Sequence, residues 1–253
     1  MKIHEYGNPD NPKIILLHPM LASASIMKSL IADNMIGDYF YIIPNLSGHG
    51  EDKTEFISAE SEAIYLKKYL SNKGYTKIKL LLGFSLGAVV ALQLYGISNE
   101  IDYETVHLDG CSLYEKAKYL SKIITFVLLG KQRKARKNLE AAKEKMSEIF
   151  GHEHGEDLAI KFISMSRESI KNCVRACSFV KIPEIPEKDR KSFFFEYGEK
   201  EFNKRKSQQM IQSRLSGVHC TIRKGYGHCE YLVRESRDYA LMLEKRIQRV
   251  EDR

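Results

Sequence analysis

Short apolar runs alternate along the chain with segments of helical periodicity. The apolar runs predict buried strands at 13–19, 40–45, 78–84 and 105–110. Helical patterns separate them at 23–35, 58–74 and 86–95. Strands that alternate with helices of this length indicate βαβ units and a parallel sheet. Because the runs are apolar at consecutive positions, they are typical of strands that are buried on both faces.

The pattern changes after Gly110. From about Ser112 to Pro186 the chain has helical patterning rich in charge and no good strand, and a segment with two prolines (IPEIPEKDRK) ends it. The alternation resumes with predicted strands at 192–198 and 218–227 and predicted helices at 202–214 and 229–248. The sequence therefore predicts an α/β fold with a mostly parallel central sheet flanked by helices. The core comprises 1–111 and 187–253, and a helical insertion spans 112–186.

The composition favours a globular protein without a membrane span. The 253 residues allow one large α/β domain or two small ones, and 43% are hydrophobic and 29% charged. The amino terminus does not have the apolar core of a signal peptide, and no run approaches the roughly 18 apolar residues of a membrane span. Five scattered cysteines indicate reduced thiols and a cytoplasmic location. Cys173 and Cys177, four positions apart, are interpreted as packing residues.

Positive charge is concentrated in the predicted insertion. The whole chain has a net charge of +7, and residues 112–190 contain 17 Lys and Arg against 11 Asp and Glu. The densest cluster is KQRKARK at 131–137. Such a cluster can attract an anionic substrate, a membrane surface or nucleic acid. No aromatic residues interleave with it, so a solvated helix face is favoured and no nucleic-acid partner is expected.

A serine between two glycines carries the first chemical signal. In GFSLG, Ser85 lies where an apolar strand meets a helix of small residues, with Gly83 and Gly87 two positions away on either side. This G-x-S-x-G pattern is that of a nucleophile elbow, a sharp turn that lifts the serine hydroxyl above the sheet edge. The alternative is a buried turn whose glycines serve packing alone.

A serine nucleophile needs a histidine base and a group that orients it. Of the eight histidines, His228 in GYGHCEYL has the best position, after the last predicted strand and before the last helix. His152 and His154 are interpreted as residues of an exposed turn, with a weak metal site as the alternative; no metal or cofactor is expected. The remaining candidates on strand-like segments, interpreted as core or edge residues, are His4, His107 and His219.

Four motifs in this order resemble the α/β-hydrolase fold superfamily over nearly the whole chain. They are LLHPM at 16–20, NLSGHG at 45–50, GFSLG at 83–87 and GYGHCEYL at 225–232. The resemblance implies a serine–acid–histidine order. It also implies that the insertion at 112–186 is a cap or lid that covers the active site and shapes substrate choice.

The resemblance implies an acid in the loop YGEKE. The position matches Glu201, although the superfamily more often has Asp there. Glu199 is a near neighbour, and Asp109 matches a minority placement of the acid. Both alternatives stay open, and Asp109 can also be a turn residue at a strand end.

The resemblance also implies an oxyanion hole made of the Leu86 and Met20 backbone N–H groups. The first belongs to the residue after the nucleophile. The second belongs to Met20, which follows His18-Pro19 where the superfamily commonly has His-Gly. Proline has no N–H to donate, but the donor is the residue after it, so the oxyanion hole can still form. His18 is expected to orient this loop. NLSGHG departs from the superfamily at Asn45, where Asp is common. Gly48 and Gly50 of this motif suit a tight loop, and His49 is expected to be structural.

These features predict a serine hydrolase that cleaves a carboxylic ester or thioester of a small to medium acyl substrate through an acyl-enzyme. The alternatives are a peptidase or carbon–carbon bond hydrolase of the same fold, or a member that binds a ligand without catalysis. The expected partner is a small-molecule acyl substrate. The sequence does not determine the oligomeric state.

Overall fold

A seven-stranded sheet forms the centre of the protein. The computed structural model describes residues 1–49 and 54–251. Its strands in chain order are β1 Lys2–Tyr6, β2 Lys13–Leu17, β3 Phe40–Asn45, β4 Lys77–Ile78, β5 Leu80–Phe84, β6 Asp102–Tyr103, β7 Val106–Asp109, β8 Phe193–Gly198 and β9 His219–Arg223. The large sheet has the order β1-β3-β2-β5-β7-β8-β9, and β1 alone within it is antiparallel to its neighbour. This confirms the predicted mostly parallel sheet.

Helices cover both faces of the sheet. In chain order they are α1 Ala24–Leu30, α2 Ala59–Lys73, α3 Leu86–Ile97, α4 Lys118–Lys137, α5 Leu139–Phe150, α6 His152–Ser164, α7 Arg167–Ser178, α8 Lys204–Arg214, α9 Glu230–Arg234 and α10 Ser236–Glu251. Short 3₁₀ turns occur at Ala32–Asn34 and Glu187–Ser192. In the described ranges, no helix has the length and apolarity needed to cross a membrane.

The apolar runs supply the core of both layers. Within β2, Ile15 and Leu17 pack with helices α2 and α3, while Ile14 and Leu16 pack with α1 and α10. Successive side chains of a strand point to opposite faces, so an unbroken apolar run buries both faces. This explains why β2 is apolar at four consecutive positions.

Helix α2 has the ends that its sequence predicts. The Ser58 hydroxyl accepts a hydrogen bond from the Ser61 N–H at 3.1 Å, and Gly74 ends the helix in a left-handed conformation with φ of +70°. A serine cap satisfies an otherwise free N–H of the first turn, and glycine adopts positive φ without a Cβ clash. Local side-chain chemistry therefore sets both ends.

Three features of the fold were not predicted. The first is the pairing of β1, the strand-like segment at His4, with β3 along the sheet edge. The predicted strand at 78–84 divides at Lys79, so that β4 leaves to pair with β6. The predicted helix at 229–248 divides at Glu235 into α9 and α10. The first two differences arise from pairing with a distant strand, which local periodicity does not report.

Helices α4 to α7, called here the inserted helices, lie between β7 and β8 in the chain. The amide of Gln132 on α4 donates hydrogen bonds to the Phe162 and Met165 carbonyls at 2.8 and 2.9 Å, which ties α4 to the end of α6. The Ser169 hydroxyl on α7 accepts from the Phe56 N–H of the core at 3.0 Å. The inserted helices are thus joined to one another and to the sheet layer.

Candidate active site

Ser85 lies on a sharp turn between β5 and α3. Its φ of 51° and ψ of −110° are outside the regions that a residue with a side chain favours, which costs of order 1–3 kcal/mol. A Cβ on Gly83 would lie 2.5 Å from the Gly87 carbonyl oxygen, and one on Gly87 would lie 2.7 Å from the His18 carbonyl oxygen. Both glycines are therefore required by close backbone approach at this turn.

His228 bridges Ser85 and Glu201. Its Nε2 is 2.8 Å from the Ser85 Oγ, and its Nδ1 is 2.8 Å from the Glu201 Oε2. The Glu201 side chain is fully buried, and its Oε1 accepts a hydrogen bond from the Gly198 N–H at 2.7 Å. The three residues named from the sequence thus form one continuous chain of hydrogen bonds.

The surroundings of His228 change its protonation. Burial opposes the charged form, whereas the neighbouring Cys229 and the Glu201 carboxylate favour it, and the pKa of His228 lies well above its ordinary value. With Nδ1–H donating to the carboxylate, the neutral ring presents Nε2 as the acceptor for the serine proton. The carboxylate therefore sets the tautomer of the ring, while Cys229 and the carboxylate together raise its pKa.

Asp109 is also near the site, but its carboxyl group is engaged elsewhere. Its Oδ2 accepts a hydrogen bond from the Tyr239 hydroxyl at 2.8 Å. Burial and the nearby Glu196 carboxylate raise the pKa of Asp109 to about 8. A carboxyl group that is largely protonated at neutral pH is a poor partner for an imidazolium ion. Between the two candidates, Glu201 is the one that contacts the histidine ring.

Gly110, which the sequence reasoning did not single out, makes room for this pair. Its φ is +62°, and a Cβ at this position would lie 2.6 Å from Cε1 and 2.8 Å from Nδ1 of His228. Gly198 has a related role, because a Cβ there would lie 2.6 Å from the Tyr226 carbonyl oxygen in the loop before His228. The sequence signal was a glycine at the carboxyl end of each of two adjacent strands: Gly198 ends β8 and Gly110 directly follows β7.

The loop after β2 faces the nucleophile. Met20 and Leu86 line the same cavity as Ser85 and His228. Within residues 1–49 and 54–251, neither the Met20 nor the Leu86 amide donates a hydrogen bond to another protein group. Both N–H groups thus belong to residues that line the cavity with Ser85 and have no protein acceptor among the described residues.

His18 fixes this loop and is not a base. Its Nδ1 donates to the Pro19 carbonyl at 2.7 Å, and its Nε2 accepts from the Leu46 N–H at 3.0 Å. Burial lowers the pKa of His18 to about 3, so the ring stays neutral. The ring joins the loop after β2 to the loop after β3, as expected for an orienting residue.

The departure at Asn45 has a structural explanation. The Asn45 Oδ1 accepts a hydrogen bond from the Ala24 N–H at 2.7 Å, at the first residue of α1. In the same motif Gly48 has a φ of +75° and lies against Ser169 of α7, and His49 is buried. Gly50 lies outside the described residues. The motif therefore anchors α1 and touches an inserted helix.

A cavity of about 270 Å³ lies above Ser85 and is largely apolar. Its walls come from the core and from α4 and α7: Met20, Ser85, Leu86, Gly110, Ser112, Tyr114, Leu120, Ile124, Leu128, Cys173, Val174, Cys177, Ser178, Phe202, Asn203 and His228. Cys173 and Cys177 share the cavity-facing side of α7, and burial raises the pKa of Cys177 to about 12. That thiol stays protonated, which leaves Ser85 as the activated nucleophile candidate.

A buried ionic network beneath the site was not predicted. Glu196 on β8 is 1% exposed and contacts Arg223 and Arg246, the latter at 2.9 Å. Arg246 also reaches the buried ring of His107, and Tyr239 lies 3.2 Å from the same ring. His107 is thus a core residue, as expected. The network ties α10 to the three strands that end at the site.

The other histidines are away from Ser85. His4 lies on edge strand β1 and His219 on edge strand β9. His152 and His154 lie in the first turn of α6, where an exposed turn was predicted. In the described part of the chain, no group of three or more His, Cys, Asp or Glu side chains is placed to hold a metal ion.

Comparison with known proteins identifies the fold. No protein-family profile and no curated protein matches the chain, but many solved structures do. A carboxylesterase from Nitrososphaera gargenis has a TM-score of 0.75 at 13% identity, covering 99% of this chain and 95% of that one. An α/β-hydrolase enzyme from a Medee basin deep-sea metagenome has a TM-score of 0.70 at 14% identity, covering 96% and 92%.

A bromoperoxidase from Bacillus anthracis also matches, with a TM-score of 0.73 at 14% identity over 97% of this chain and 94% of that one. The matched structures include both esterases and a bromoperoxidase, although they share one fold, so the fold by itself does not determine the reaction. The agreement over nearly the full length, together with the sheet order and the strand–turn–helix at Ser85, shows that the chain has the α/β-hydrolase fold.

Proposed function

We propose that the protein is a serine hydrolase that cleaves a carboxylic ester or thioester of a small to medium acyl substrate through an acyl-enzyme. The observation that carries the proposal is the bridge by His228 between Ser85 and Glu201, with both distances at 2.8 Å. Nucleophile, base and orienting acid stand in hydrogen-bond contact, which is the arrangement that activates a serine hydroxyl.

In the first half-reaction, Nε2 of His228 takes the Ser85 proton as Oγ attacks the carbonyl carbon. The carbonyl oxygen becomes an oxyanion beside the Met20 and Leu86 N–H groups, and Glu201 stabilises the imidazolium. As the tetrahedral intermediate collapses, His228 gives its proton to the leaving alkoxide or thiolate. The acyl group then remains on Ser85.

In the second half-reaction, His228 takes a proton from water, which attacks the acyl carbon. Collapse of the second tetrahedral intermediate returns the proton to Ser85 and releases the carboxylic acid. The apolar side chains of Leu120, Ile124 and Leu128 on α4 suit the hydrocarbon part of the acyl group. Because they belong to the inserted helices, we propose that residues 112–186 form the cap over the active site. A cytoplasmic location stays a prediction.

The proposal is tested by intact-mass analysis after treatment with a fluorophosphonate probe. We expect one adduct on the native protein and none on Ser85→Ala. Ser112→Ala is the matched control, since Ser112 lines the same cavity but its hydroxyl donates to the Cys177 carbonyl at 2.5 Å. It should label like the native protein.

Absence of an adduct on the folded native protein would refute the hydrolase proposal and favour the ligand-binding alternative. Labelling of Ser85→Ala would refute the assignment of the nucleophile. If Ser85 labels, a panel of esters, thioesters, amides and carbon–carbon substrates separates esterase chemistry from the peptidase and carbon–carbon hydrolase alternatives.

A further inference from the structure

Helix α4 carries apolar side chains on two different sides. The side with Leu120, Ile124 and Leu128 lines the active-site cavity. The other side exposes Tyr119 by 81%, Ile123 by 60%, Phe126 by 80% and Val127 by 44%. These four lie at positions i, i+4, i+7 and i+8, which places them in one stripe along the helix. An exposed apolar stripe of this kind marks an interaction site.

Basic residues border the stripe on α4 itself. Lys118 and Lys122 lie beside its amino-terminal half, and Arg133, Lys134 and Lys137 continue the same helical face toward the carboxyl end. All five are exposed. Within the described residues, none of the five forms an ion pair with an acidic side chain. Their charge is therefore available to a partner.

Helix α7 adds to this surface across an open groove of about 580 Å³. Lys171 and Arg175 face the groove together with the half-exposed ring of Phe179. The acidic residue of the groove is Glu168, which pairs with Lys171 at 2.9 Å. The groove thus repeats the combination found on α4, aromatic side chains among an excess of cations.

We propose that the exposed side of α4, with the facing part of α7, docks on an anionic lipid bilayer. This surface is called the α4 surface and is defined by Tyr119, Ile123, Phe126 and Val127 with the surrounding cations. Apolar side chains of such a helix enter the boundary between headgroups and acyl chains, while lysines and arginines pair with anionic headgroups. Helix α4 then lies in the plane of the bilayer.

The chemistry of the α4 surface favours a bilayer over the other polyanions and over self-association. A second copy of the chain, docked through the same face, would bring two positive surfaces together. Nucleic acid offers phosphates and bases for aromatic stacking, but it provides no apolar medium for Ile123 and Val127. An anionic bilayer matches both the charge and the aliphatic side chains.

Docking places the membrane and the active-site cavity on two different sides of one helix. Leu120, Ile124 and Leu128 contact the cavity while Ile123 and Phe126 contact the lipid. A substrate dissolved in the bilayer would reach the cavity around α4. The docking itself goes beyond the proposed hydrolase activity and does not depend on Ser85.

The test is flotation of the full-length Ser85→Ala protein with vesicles, so that no ester bond of the lipid is cleaved. Vesicles of phosphatidylcholine alone are compared with vesicles that contain 30 mol% phosphatidylglycerol. We expect binding to the anionic vesicles, at least tenfold weaker binding to the neutral ones, and release on raising the salt concentration, because screening weakens surface electrostatics.

Two variants address the two halves of the surface. Ile123→Asn with Phe126→Ser removes apolar contact and should weaken partitioning more than tenfold. Lys118→Gln with Lys122→Gln should also weaken it more than tenfold, at about fivefold for each charge removed. In the Ser85 background, both variants should label with fluorophosphonate at the native rate, which shows that they are folded.

The matched control lies on α2. Ile64 is 60% exposed, and Lys68 is exposed one turn away. Ile64→Asn with Lys68→Gln changes the same residue types outside the α4 surface and should leave vesicle binding unchanged. An equal loss in this control would overturn the assignment of the surface.

Two results would overturn the proposal itself. One is equal binding to neutral and anionic vesicles, and the other is no vesicle binding at all. A dimer in analytical ultracentrifugation that the Phe126→Ser change dissolves, without vesicle binding, would assign the surface to a second copy. Binding of a single-stranded oligonucleotide without vesicle binding would assign it to nucleic acid.

Discussion

Gly110→Ala tests whether the space beside His228 is essential. The added Cβ would lie 2.6 Å from Cε1 of the ring, whereas an ordinary contact begins near 3.4 Å, so the ring must retreat by about 0.8 Å. A displacement of about 1 Å in a catalytic group costs on the order of 100-fold in rate. We expect kcat/KM to fall about 100-fold.

The same change also strains the backbone, and the two effects need separation. The φ of +62° at Gly110 costs alanine about 1–2 kcal/mol in unfolding free energy. Gly74 is the matched control, because its φ is +70° and nothing lies within 4 Å of the position of its Cβ. Gly74→Ala should lose a similar amount of stability and keep its activity.

The assay is kcat/KM on a soluble ester, paired with urea denaturation to measure the free energy of unfolding. The reasoning is refuted if Gly110→Ala stays within threefold of the native kcat/KM while it is destabilised like Gly74→Ala. It is also refuted if Gly74→Ala loses activity, because that loss would trace to general destabilisation and not to the ring of His228.

Three further predictions address the site and its support. Because the pKa of His228 is raised, its base form appears only at higher pH. We therefore expect kcat/KM to rise with pH through a midpoint above 6.5, the ordinary pKa of histidine. A midpoint at or below 6.5 would contradict the raised pKa. Glu201→Gln should lower kcat/KM by roughly 10³–10⁴-fold and move this midpoint to lower pH. Asp109→Asn should change kcat/KM less than about tenfold. A larger loss of kcat/KM in Asp109→Asn than in Glu201→Gln would make Asp109 the acid. Glu196→Gln leaves Arg223 and Arg246, which are part-buried with 25% and 13% of their side chains exposed, without their buried partner; it should lower the unfolding free energy by at most about 3 kcal/mol. Glu140→Gln, whose partner Lys143 it meets at an exposed surface, should not change it.

Much of the fold follows from short-range patterns. The buried strands β2, β3 and β5 appear as apolar runs, and the Ser58 cap and Gly74 stop of α2 are local events. The strand-like segment at His4 received no bounds and no partner, because the mixed pattern of β1 acquires meaning only when it pairs with β3. The division at Lys79 has the same origin, since β4 separates from β5 to pair with β6.

In the candidate site, too, some features follow from residues adjacent in the sequence and others only from contacts between distant segments. GFSLG predicts the elbow because a side chain at Gly83 would collide with the Gly87 carbonyl of the same turn. The requirement for Gly87 comes instead from the His18 carbonyl after β2, which is distant in the chain. The choice between Asp109 and Glu201 was left open because Asp109 ends β7 and Glu201 follows β8, and the ends of these neighbouring parallel strands lie at the same edge of the sheet. Their surroundings differ only after α10 brings Tyr239 onto Asp109.

The sequence by itself determined the α/β class, the strained serine turn and the position of His228, because periodicity, turn chemistry and chain order act over a few residues. Only the tertiary structure decided that Glu201 faces His228, that Gly110 must lack a side chain, and that one side of α4 lines the cavity while the other meets solvent. Each of these depends on which distant segments pack together, and burial, charge and contact are properties of that packing.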